Sequence, residues 1–179
     1  MVEAAYLTGW RLRSELLTRQ WKHVDFKAGW LRLEPGETKN GEGRQFPLIP
    51  ALRSVLEAQK NKADALARET GEIIPWLFFR RNGEPIKDLY GAWDRACRTA
   101  GVAGLVPHDL RRSAVRNLER AGVPRATAMK LVGHKTEAIY RRYAIVVESD
   151  LLAGGEKLDG LHQIQGLARP TVVPFPKSH

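Results

Sequence analysis

Pro107-His108-Asp109-Leu110-Arg111, Gly133-His134 and Tyr143 bring two histidines, an arginine and a tyrosine into the last third of the chain. His108 and Arg111 are three residues apart, so on a helix they share a face. Leu110, Ala114, Leu118 and Ala121 form an apolar stripe expected to face the core, which leaves His108 and Arg111 pointing outward together. Arg112, four residues after His108, fits that face almost as well, and a solvated basic surface explains the pattern of one helix taken alone. Gly133 ends a short helix and His134 sits in the junction. Tyr140 and Tyr143 also share a helical face, so one can pack while the other reacts. Arg141 and Arg142 lie between them, and positive charge beside a phenol favours its nucleophilic form.

Two further pieces lie towards the other end. In Thr8-Gly9-Trp10-Arg11 the arginine's planar fork can grip two phosphate oxygens at once. Glu15, four residues on, can pair with Arg11 and hold its rotamer, and Arg13 is a competitor on a different face. Lys39 sits in the glycine-rich turn Thr38-Lys39-Asn40-Gly41, from which a lysine can protonate a leaving oxygen. A two-metal nuclease needs clustered carboxylates, and here the acids near these pieces are isolated. No Walker loop and no zinc spacing is present in the sequence. Arginines, histidines, a lysine and a tyrosine suit metal-free attack on a phosphodiester, with cations in the charge role of a metal. No cofactor is expected.

Composition agrees with such a substrate. The chain of 179 residues carries 29 basic and 20 acidic residues, a net charge of +9, with 43% hydrophobic content. That excess suits a polyanionic partner, nucleic acid first, and the hydrophobic share suits one sizeable core. The single cysteine, Cys97, excludes an internal disulfide and fits a reducing compartment. No membrane span and no signal peptide is legible, so a cytoplasmic location is expected.

The elements that must position these residues follow in order. Residues 3 to about 20 read as helical, with a break at Gly9. Val24 to Leu33 read as a hairpin about Lys27-Ala28-Gly29, and Arg44 to Ile49 as a third strand that Pro47 confines to an edge. Helices are expected over Pro50 to about Glu69, Lys87 to Ala100, Pro107 to Gly122, Pro124 to Leu131, 136 to 145 and 148 to about 165. The fold class is α+β, mainly helical, with a small three-stranded antiparallel sheet packed against a helical catalytic core.

In this order the pieces resemble the tyrosine recombinase (phage integrase) family. Thr8-Gly9-Trp10-Arg11 resembles its first box and Lys39 its hairpin lysine. Pro107-His108-Asp109-Leu110-Arg111-Arg112 resembles its His-x-x-Arg box, Leu131-Val132-Gly133-His134-Lys135 its second histidine box, and Arg142-Tyr143 its nucleophile. The resemblance covers residues 3 to about 150. It implies Arg111 rather than Arg112 and Tyr143 rather than Tyr140. The family commonly places its glutamate three residues after the first arginine. Glu15 is four after Arg11, so Arg13 stays the alternative there.

The resemblance also implies a role for each residue. Tyr143 attacks a DNA phosphate, giving a 3′-phosphotyrosyl link and a free 5′-hydroxyl. Arg11 and Arg111 clamp the phosphate, Lys39 protonates the leaving oxygen, His108 serves as base or orienter, and His134 bonds the phosphate. The implied activity is site-specific recombination on double-stranded DNA by a homotetramer. Type IB topoisomerase-like nicking and closing, or a non-catalytic DNA-binding remnant, are the alternatives. Residues 1–165 are expected to form the catalytic domain and 166–179 a flexible, proline-containing tail. The family's separate N-terminal DNA-binding domain is expected to be absent. Leu151, Leu152, Leu158 and Leu161 are expected to pack on a neighbouring subunit or on this chain's own core.

Overall fold

The computed structural model describes residues 1–37, 41–144, 146 and 148–164. The chain divides into two units, Met1–Ala144 and Ile145–His179. The second unit contains helix α7 (Glu148–Ile164), along which Leu151, Leu152, Leu158 and Leu161 are exposed. The expected tail at 166–179 lies outside the described residues.

The first unit begins with α1 (Val2–Thr8), which stops at Gly9. Gly9 takes φ 65°, a left-handed conformation that glycine adopts without strain. It also has no room for a side chain. A Cβ there would stand 2.9 Å from Ala114 Cβ and 3.0 Å from Val132 Cγ1. The chain therefore breaks where its glycine predicts, and the break is the point at which α1 meets the later helices. Thr8 reinforces it, donating from Oγ1 to Ala4 O at 2.7 Å while accepting from Trp10 N–H at 3.2 Å.

Beyond Arg11 the backbone winds as a single π-helical turn, Leu12–Leu16. Its i→i+5 bonds run from Leu16 N–H to Arg11 O (3.1 Å) and from Leu17 N–H to Leu12 O (2.9 Å). Such wide turns take up an extra residue and recur at functional sites.

Strands β1 (Val24–Asp25), β2 (Trp30–Leu33) and β3 (Arg44–Pro47) form the expected antiparallel sheet in the order β1-β2-β3. Register pairs Leu31 with Phe46 and Leu33 with Arg44. Successive strand residues alternate faces, so Leu31, Leu33 and Phe46 are buried together on one side. Pro47 occupies an edge strand, where its missing N–H costs no ladder bond. That buried side packs against α1, the π turn, α2 (Pro50–Thr70) and Leu77-Phe78 in the larger core.

Helices α3 (Tyr90–Thr99), α4 (His108–Arg120), α5 (Arg125–Val132) and α6 (Glu137–Arg141) complete the unit. A smaller core joins Val115, Ala128, Val132 and Tyr140. Two helices are shorter than expected. Asp88 Oδ1 accepts from Tyr90 N–H at 3.0 Å and so delays the start of α3, while α6 closes in a turn with Tyr143 N–H donating to Tyr140 O at 2.9 Å. Among the described residues no helix is long and apolar enough to cross a membrane.

Candidate active site

Helix α4 supplies the first pair, and its orientation corrects an expectation. Arg111 does not face outward; it is 2% exposed and lies on the buried side with Ala114 and Val115. The helix is wedged against Gly9, and Arg111 exchanges water for two fixed acceptors. Its Nη1 donates to Gly9 O at 2.7 Å and its Nε to His134 Nε2 at 3.1 Å. Burial and the neighbouring Arg11 push its guanidinium down to about 10, still protonated at neutral pH. Nη2 has no hydrogen-bond partner among the described residues, so one donor of a buried cation is left over for a ligand. His108, one helical turn earlier, stays exposed, and Arg112 turns away to Asp109 at 2.8 Å.

Gly133 ends α5 with φ 75° and delivers His134, which is 8% exposed. Because its Nε2 accepts from Arg111, its proton belongs on Nδ1. Burial, then the charges of Arg111 and Arg11, lower its pKa to about 3, so it works as a neutral donor. Its Nδ1 is likewise buried without a partner among the described residues.

Helix α6 separates the two tyrosines. Tyr140 is fully buried in the smaller core, where burial and then the Glu119 carboxylate raise its phenol well above the ordinary value. Tyr143 lies just past the helix, half-buried. Its hydroxyl is 2.9 Å from His108 Nε2, and its ring stacks on His134 with centroids 5.0 Å apart. Burial and then Arg111 and Arg112 lower His108 below its usual value. A neutral imidazole can take a phenolic proton, and 2.9 Å is within transfer distance.

Arg11 reaches the same place from the π turn. Glu15, 1% exposed, accepts from Arg11 N–H at 2.7 Å and from Arg11 Nη1 at 2.6 Å. The pairing expected between these residues is present, and the wide turn accommodates their four-residue separation. Burial acts to raise the Glu15 carboxyl, but Arg44 and Arg11 outweigh it and hold the group below its ordinary value. Arg13 is exposed and has no polar partner among the described residues. Arg11, Arg13, His108 and Arg111 share the wall of a cleft of about 330 Å³ that runs on past Lys87 and Tyr90. Lys39 lies outside the described residues.

Residues 1–149 match the phage integrase family. The chain belongs to that family. The integrase of Salmonella phage P22 is 23% identical over 176 residues, covering 90% of this chain and 42% of that protein. Tyrosine recombinase XerC of Staphylococcus epidermidis is 27% identical over 154 residues, covering 84% and 50%. The Tn1549 transposon integrase, solved in complex with circular intermediate DNA, shares the fold. Its TM-score is 0.65 at 20% identity, over 86% of this chain and 55% of that one. The chain spans about half the length of the curated relatives it matches. For this family member the mainly helical fold with a small three-stranded sheet stands as expected.

Arg44 was not singled out in the sequence. Alternation on β3 puts it on the same face as Phe46, so a charged residue occupies a core-facing position. It ion-pairs with Glu15, and its guanidinium lies 5.3 Å from the Trp10 ring centroid. The signal was available: an arginine two residues before a buried aromatic in a short strand has to find a buried counter-charge.

Proposed function

We propose that this protein is a site-specific DNA recombinase that cleaves and rejoins strands through a 3′-phosphotyrosyl intermediate. The observation that carries this reading is the Tyr143 hydroxyl held 2.9 Å from His108 Nε2, a residue that shares a cleft wall with Arg11 and Arg111. Tyr143 Oη attacks the phosphorus and passes its proton to His108. The bond from phosphorus to the 5′ oxygen breaks, and that oxygen takes a proton from Lys39. Arg11 and Arg111 hold the non-bridging oxygens, and His134 donates from Nδ1. Charge stabilisation in a water-poor site is the largest contribution. The phosphotyrosyl link conserves the bond energy for rejoining.

The partner is double-stranded DNA, and the working assembly is a homotetramer on it. The net charge of +9 supports the first part, as do relatives named as integrases and recombinases. Those relatives also favour recombination over topoisomerase action.

The test is covalent trapping. Incubating the protein with nicked duplex DNA should give an adduct that survives denaturant. Tyr143→Phe should abolish it and Tyr140→Phe should retain it. An adduct that persists in Tyr143→Phe, or disappears only in Tyr140→Phe, would overturn the assignment.

A further inference from the structure

The mechanism above leaves Arg44 without a task, although it is enclosed beside the site with its side chain 10% exposed. A buried cation is tolerated only where a counter-charge meets it. Here that counter-charge is Glu15, which Arg11 also engages through Nη1 and its backbone N–H. The space Arg44 occupies is tightly defined. A Cβ on Gly133, the residue before His134, would fall 1.8 Å from Arg44 Nη1. Trp10 closes the other side.

The charges explain what the arrangement achieves. Arg11 with Glu15 alone sums to zero. The carboxylate that orients Arg11 would then cancel much of the field Arg11 projects, because opposite charges in a buried site are weakly screened. Arg44 restores the cluster to one net positive charge. We propose that Arg44 is a positioning residue for the phosphate clamp: it neutralises Glu15, so that Glu15 can orient Arg11 without cancelling its charge towards the anion. The proposal rests on the recombinase reading for the identity of that anion.

The alternative role is packing, with Arg44 merely filling the space beside Trp10 and Gly133. The two roles differ in whether removing the Glu15 charge restores what an Arg44 variant loses. The experiment compares wild type, Arg44→Met, Glu15→Gln and the double variant, with Arg44→Lys as the charge-conserving control. Adduct formation on nicked duplex and the affinity for inorganic phosphate, followed by arginine side-chain NMR signals, are both measured.

Arg44→Met should lower adduct rate and phosphate affinity roughly tenfold or more, because a stabilising charge has been cancelled. Arg44→Lys should retain most of both. In the Glu15→Gln background the same change takes the cluster from two net positive charges to one, the wild-type value. The double variant should therefore outperform Arg44→Met alone. If Arg44→Met proves unfolded, the comparison of wild type with the double variant, whose cluster charges are equal, still decides.

A double variant no better than Arg44→Met, no loss in Arg44→Met, or absence of phosphate binding by wild type overturns the proposal. If wild type forms no adduct yet the phosphate affinities follow the expected order, the recombinase reading fails and the neutralising role of Arg44 stands.

Discussion

Tyr140 and Tyr143 differ by one helical turn and by most of their chemistry, because one is fully buried and the other is half-buried with its hydroxyl against His108. The same contrast separates the histidines. His108 is exposed and its pKa is lowered from 6.5 by burial and then Arg111. If it takes the tyrosine proton, adduct formation by the free enzyme should fall on the acid side with a midpoint below pH 6.5. A midpoint above that value in single-turnover measurements would remove His108 as the base.

His134 has a consequence for stability. Its pKa is about 3 in the fold against 6.5 ordinarily, so the unfolded chain binds the proton first. Stability is then fully present above pH 6.5 and is lost as pH falls towards 3. The whole span is worth on the order of 5 kcal/mol. In urea unfolding, the advantage of wild type over His134→Gln should shrink steadily from neutral pH to about pH 4. Parallel curves would show that His134 is not protonated on unfolding.

At the scale of elements, the first box is a junction. Gly9 lets α1 stop, lets α4 approach, and presents its carbonyl to Arg111. Gly9→Ala combines a left-handed alanine with a steric clash, so it should destabilise by about 2–4 kcal/mol. Gly29→Ala is the control, since Gly29 also has positive φ but nothing within 4 Å of an added Cβ. That change should cost about 1 kcal/mol, the conformational part alone. Equal losses at the two positions, measured by denaturant midpoints, would show that the approach of α4 is not tight. The π turn makes a parallel point. One additional residue between Arg11 and Glu15 is absorbed by a wider turn, and the ion pair survives at 2.6 Å.

For the whole molecule, the excess of positive charge matters more than any one side chain. A second groove, about 540 Å³, runs between β3 and α5, with Lys130 and Lys135 on its wall next to His134. If duplex DNA crosses this side, binding must release counterions and weaken steeply with salt. Replacing Lys130 and Lys135 by alanine should reduce the slope of log K against log salt by roughly one for each phosphate no longer neutralised, and should do so on any sequence. An unchanged slope in binding titrations would place the DNA elsewhere.

The sequence by itself determined the sheet, the helix order, the break at Gly9 and the set of chemically able residues. Each of these depends on local rules: periodicity, turn residues, and the spacing of His108, Arg111, His134 and Tyr143. Tertiary structure decided what those residues face. Helical spacing made Arg111 an outward partner of His108, whereas packing of α4 on Gly9 buries it against His134. Tyr140 and Tyr143 likewise differ in their surroundings only in the fold, where the smaller core encloses the first and leaves the second half-buried beside His108. Arg44 escaped notice because its counter-charge, Glu15, is 29 positions away in sequence and reaches it only when sheet and π turn come together. A charge pattern along a chain reports its neighbours in sequence. The field inside a folded site is set by burial and by partners brought from a distance.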